Sequence, residues 1–153
     1  MDEIETMRRR AVAARERFRA LPHLNSDQLG PPDPKSGERW DRYNVLGHMA
    51  EFLPFWVAQI EMAMDGAELG RQPGSTERQQ GVDSARAVGE GELRERVDSG
   101  LEGLLRFFDR LRPVDLDRQV TMRGRGEQTM RWAMESLLVG HVEEHCEQLA
   151  ALG

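Results

Sequence analysis

The sequence predicts an all-α protein built as a four-helix bundle. Three observations carry that reading. Apolar residues recur at spacings of three and four over long stretches, prolines and glycines gather between those stretches, and strand-like alternation is confined to one short run. The first stretch sets Ile4, Met7, Ala11, Ala14, Phe18 and Leu21 on a narrow seam, with arginines and glutamates between them, and Pro22 ends it. Residues 22–40 hold Pro22, Pro31, Pro32 and Pro34 with Gly30 and Gly37, the composition of a loop. A second helix starts at Asp41 as N-cap and runs to about Met64. His48, Val45, Phe52, Phe55, Trp56, Gln59 and Met62 share its inner side, and Pro54 predicts a bend near Ala50.

Residues 65–90 read as a polar connection with one helical turn near Asp83 to Val88. A third helix covers about Glu92 to Leu111, with Leu93, Val97, Leu101, Leu104, Phe108 and Leu111 on one face and Gly100 and Gly103 allowing a close neighbour. Val120 and Met122 alternate with polar residues, so a short extended stretch precedes the last helix. That helix begins near Thr129 and runs to the end, with Met134, Leu137, Leu138, His141, His145, Gln148, Leu149 and Leu152 on one side of a regular wheel. The seam of the first helix is open to the core or to a second copy, so a homodimer is one expectation.

At 153 residues the whole chain, 1–153, is expected to form one domain with one core. A net charge of −6 argues against a nucleic-acid binder. One cysteine, Cys146, excludes an internal disulfide and a cysteine-based zinc finger. The start, Met1 to Glu5, is acidic where a signal peptide is basic, and no run approaches the roughly 18 apolar residues of a membrane span. A cytoplasmic protein with neither a nucleic-acid nor a membrane partner is the expectation.

The chemistry resides in the histidines. His141 and His145, four residues apart, project from one side of the last helix, and His48 lies in the inner stripe of the second. A core histidine is more often hydrogen-bonded than metal-bound, but burying two imidazoles one turn apart without partners incurs the desolvation cost twice. Their depths also agree. His48 lies about 10 Å into the second helix and His145 about 12 Å from the far end of the last. The two rings meet if those helices are antiparallel, whereas in a parallel pair His141 would lie about 18 Å from its helix start and miss. Three imidazoles with open positions are the catalytic pattern of a metal site. They suit zinc, nickel, copper or ferrous iron, and geometry alone does not choose among them. Glu51, one turn after His48, and Glu144, beside His145, are candidates for a further ligand, an orienting carboxylate or a catalytic base. Cys146 points about 100° away from His145 and reads as packed.

Two other motifs fail on inspection. HVEEH at 141–145 fits the pattern of inverted zinc proteases, yet too few residues follow it to supply the downstream acidic ligand. A di-iron bundle needs paired Glu-x-x-His motifs, and the sequence has none.

The segment RWDRYNVLGHMAE at 39–51, followed by HVEEH at 141–145, resembles the DinB-like superfamily, in which a tryptophan and a helix cap precede a VLxHLA(D/E)-like stretch and an HxxxH helix closes the chain. The resemblance spans the chain in helix order, and the two histidine segments are its specific part. It implies an up-down-down-up bundle and a divalent metal on His48, His141 and His145. It further implies a metal-dependent transferase or isomerase that uses a low-molecular-weight thiol as co-substrate against a small-molecule electrophile. In such a protein Arg39, Arg78 and Arg86 are candidates to meet the carboxylates of the thiol. The rival expectation is a non-catalytic, stress-related metal-binding bundle.

Overall fold

The computed structural model describes residues 2–23 and 27–152, so Leu24 to Ser26 of the expected loop lie outside the described residues. It is mainly helical, with one small two-stranded sheet. No helix among the described residues is long and apolar enough to cross a membrane.

Helix α1 (Glu3–Ala20) starts where the Asp2 carboxylate accepts the Glu5 amide at 2.8 Å. Its buried residues are Ile4, Met7, Ala11, Ala14 and Phe18, the expected seam, and they belong to the shared core of the chain. Salt bridges place α1 between its neighbours. Arg15 and Arg19 both grip Asp98 of the third long helix, while Arg10 reaches the last helix.

Helix α2 (Arg42–Met64) opens with a reciprocal cap between Asp41 and Asn44 and continues unbroken through Pro54. Its core face is Val45, Met49, Phe52, Leu53, Trp56 and Ile60, each buried. Met62, expected in that stripe, is 48% exposed instead. It sits over a groove toward the next long helix, because the residues facing the core near this end are Ile60 and Ala63.

Two short helices, α3 (Glu77–Asp83) and α4 (Ala85–Val88), fill the connection where one turn was expected. Helix α3 is held by contact rather than by apolar periodicity. A Cβ on Gly47 would lie 2.2 Å from the Gly81 carbonyl, so α2 and α3 touch backbone to backbone only because both positions are glycine. Helix α5 (Glu90–Phe108) ends three residues before the expected Leu111, which is still buried. Gly100 lies against Leu53, as its spacing suggested, whereas Gly103 faces open space. Ion pairs join Arg42 to Glu90 near the starts of α2 and α5, and Glu61 to Arg110 near their ends.

The extended stretch is one arm of a hairpin, β1 (Gln119–Met122) with β2 (Gly126–Thr129). Leu69 hooks onto it, donating its amide to Thr121 at 2.8 Å and accepting from Arg123 at 2.7 Å. The final helix begins as α6 (Met130–Ala133), with Thr129 capping the Trp132 amide. It passes through a π-helical segment, Met134–Val139, and resumes as α7 (Gly140–Ala151). The regular wheel drawn over this whole stretch therefore fails at its midpoint. The buried residues of α7 are Val142, Cys146 and Leu149; of the expected side Leu149 and Leu152 are buried, whereas His141, His145 and Gln148 are half-buried.

Ahead of α2, a strap folds back on itself. The Gly30 amide donates to Trp40 O and the Asp33 amide to Glu38 O, each at 2.8 Å, with Pro31, Pro32 and Pro34 between.

Candidate metal centre

His48 of α2 and His141 and His145 of α7 each present one ring nitrogen, and these atoms lie within 4.8 Å of one another. They are close enough to bind a metal ion. The Nε2 atoms of His48 and His141 are 3.3 Å apart. Two nitrogens about 2.0–2.1 Å from a tetrahedral zinc are separated by about 3.3–3.4 Å, so this spacing fits the ion. The ring centroids are 5.2, 4.8 and 4.7 Å apart, a compact triangle.

Two of the three outer nitrogens are held as metal-binding imidazoles require. His145 Nδ1 lies 2.8 Å from Gln148 Oε1, and His141 Nδ1 lies 3.4 Å from Leu137 O. Both partners accept, so each Nδ1 carries the proton and Nε2 keeps its lone pair. His48 Nδ1 is buried with no hydrogen-bond partner. Phe52 stacks on His141 at 4.0 Å, and Trp40 packs edge-on against His48 at 5.1 Å.

Burial dominates the charge state. It pushes His48 down to about 2, with the His145 and His141 rings adding to the effect. It pushes His141 down to about 4 and lowers His145 as well. All three rings are therefore neutral at pH 7, which is the ligating form. The Cys146 thiol faces away, 3.8 Å from Ala14 O, and burial raises it to about 11. It is packed, in keeping with its place on the helix.

The histidines line a pocket of about 460 Å³, walled by Pro31, Pro32, Pro34 and Trp40 and flanked by Arg78, Glu144 and Gln148. A larger groove of about 810 Å³ runs between α2 and α5 over Pro54, Gly100 and Gly103. It contains no imidazole, so size does not decide where the chemistry is.

Of the expected accessory residues, the pocket gathers Glu144 and Arg78 and leaves out three. Arg78 sits over the Trp40 ring at 5.3 Å. Glu144 is exposed at the rim. Glu51 instead forms a two-pronged ion pair with Arg71 at 2.6 and 3.0 Å and lines a separate cavity beside Phe55. Its turn of helix faces that cavity and not the histidines. Arg39 donates to Gly30 O at 2.9 Å and braces the strap. Arg86 pairs with Asp41 and Asp27, securing the start of α2. Both arginines are engaged in structure, away from the pocket lining. Gln148 and Trp40 were missed as site residues. Gln148 could have been found, since it follows His145 by three residues on the same helix face. No family model, curated protein or solved structure matches the chain.

Proposed function

We propose that the chain is a DinB-like, up-down-down-up four-helix bundle that holds a divalent metal, zinc or nickel before iron, on His48, His141 and His145, and uses it to transfer a low-molecular-weight thiol to a small-molecule electrophile in the cytoplasm. The helix order is supported by ion pairs joining like ends of α2 and α5 and by Leu152, at the end of the last helix, lying beside Gly30 just ahead of α2. The observation that carries the reading is the convergence of three neutral ring nitrogens within 4.8 Å at the base of a pocket. A divalent ion held there supplies the Lewis acidity that brings a thiol's pKa into the neutral range. Arg78, on the Trp40 face, pairs with a carboxylate of the thiol. Glu144 at the rim takes the thiol proton. Trp40 and the prolines keep water from the reacting atoms.

A second reading, a non-catalytic metal-binding bundle, is favoured by one fact: Glu51 is committed to Arg71, which removes one of two expected bases. Elemental analysis of protein purified without a histidine tag tests the shared premise. Near-stoichiometric metal that disappears in His48→Ala, His141→Ala and His145→Ala variants is expected, and metal retained in all three would refute the site. Conjugation of monochlorobimane across a panel of thiols then separates the readings. Turnover with one thiol, lost on Glu144→Gln, supports transfer, and no turnover with any thiol leaves the binder.

A further inference from the structure

The π-helical segment lies one residue before the histidine pair, and its consequence is angular. Met130 and Cys146 are sixteen residues apart. They would face about 160° apart on a straight α-helix, but about 60° apart if one residue is absorbed in the wider turn. Both are buried, as the absorbed residue requires. On a straight helix His141 would lie only about 20° from Met130 and enter the core stripe. With the wider turn it stands about 80° to the side, where it meets His48 at the pocket.

Two features hold the wider turn. The Gly140 amide donates to Glu135 O, five residues back, and a Cβ on Gly140 would lie 2.8 Å from that same oxygen. Glycine is the residue this turn admits. Arg10 of α1 meanwhile grips two carboxylates that straddle the turn, Glu135 at 2.7 Å through both Nη atoms and Glu143 at 2.5 Å through Nη2. Residues eight apart on a straight helix face about 80° apart, but with one absorbed they fall within about 20°, so a single guanidinium can hold both. Upstream, α6 is fixed by the Thr129 cap and by Arg131, which pairs with Glu3 and Asp117. Any slip therefore falls on α7.

We infer that the π turn, admitted by Gly140 and clamped by Arg10, sets the rotation that brings His141 and His145 to His48, making Gly140 and Arg10 positioning residues of the metal centre. The inference rests on the metal reading given above, but its geometry can be tested without metal. Cys146 is the sole cysteine and is buried, so its labelling by an aromatic disulfide reports the rotation of α7 directly.

The experiment compares full-length wild type, Gly140→Ala, Arg10→Met, removal of Ser136, and Gly140→Ala combined with that removal. Each metal-free protein is labelled, then titrated with Co²⁺ and read by its visible ligand-field bands. Ser136 is exposed, and removing it deletes the surplus residue, so a regular helix keeps both faces in phase. Alanine is the better helix former, yet Gly140→Ala should label at least tenfold faster and bind Co²⁺ about ten- to a hundredfold more weakly, the usual effect of disturbing what orients a ligand. Arg10→Met should move both readouts in the same direction. The combined variant should recover slow labelling and tight binding, because a straight helix no longer presses a Cβ onto Glu135 O. Wild-type behaviour in Gly140→Ala, or no recovery in the combined variant, overturns the inference. If Gly140→Ala does not fold, Arg10→Met decides by the same readouts. A wild type that binds no Co²⁺ defeats the metal reading instead, and labelling still decides the register.

Discussion

Acidifying the metal-free protein from about pH 7.5 to about pH 5 should remove about 4 kcal/mol of folding stability through two rings alone. His48 is held at about 2 and His141 at about 4, chiefly by burial. In the unfolded chain both titrate near about 6.5. Below that value the unfolded state takes up protons that the folded state refuses. The stability tied to neutral rings is therefore complete above about pH 6.5 and drains as the pH falls toward the folded values. At pH 5 the gap is about 1.5 pH units per ring, and at about 1.36 kcal/mol per unit each ring loses about 2 kcal/mol. His145 is shifted in the same direction and adds to the loss. Carboxylates such as Asp98 and Glu135, held low by their arginines, contribute little in this window, because unfolded carboxylates stay mostly ionised above about pH 5. The assay is urea denaturation in chelator at both pH values, for wild type and for His141→Gln. The variant should lose about 2 kcal/mol less than wild type. Equal losses in the two proteins would show that the buried imidazoles are not the source and would refute the reasoning.

Two further outcomes follow from the same geometry. His141→Ala should lower thermal stability more in metal-saturated protein than in chelated protein, since metal at about 100 times its Kd adds about 2.7 kcal/mol to a competent site; equal losses, read by calorimetry, would assign His141 to packing. Gly100→Ala places a Cβ 2.8 Å from the Leu53 Cβ and should cost about 1–3 kcal/mol, whereas Gly103→Ala, with nothing within 4 Å, should be neutral or stabilise by up to about 1 kcal/mol. Urea midpoints of the two variants check this.

The long helices were legible because their apolar residues repeat at helical spacing over about three to four turns, as in the Ile4-to-Phe18 seam of α1 and the Leu93-to-Leu104 face of α5. The histidine cluster was legible for a related reason: a spacing of four plus matched depths constrains three dimensions with three residues. What escaped depends on contacts between distant segments. Helix α3 carries a single buried residue, Val82, and owes its place to Gly47 and Gly81 touching. Strand β2, with the sequence GEQT, has no alternation and exists because β1 and the Leu69 hook fix its neighbour. The π turn could not be read from α7 alone, since Arg10, more than a hundred residues away, helps hold it. Glu51 was assigned to the histidines by nearness along the helix, but Arg71 drew it to the other side.

The proline strap has a consequence for recognition. Its three prolines have fixed φ angles, and two cross-bonds, Gly30 to Trp40 and Asp33 to Glu38, tie it back on itself. Ordering a floppy rim on binding would otherwise forfeit about 1–2 kcal/mol for every residue stilled. A rim tied down by fixed φ angles and its own hydrogen bonds has little of that freedom left to lose.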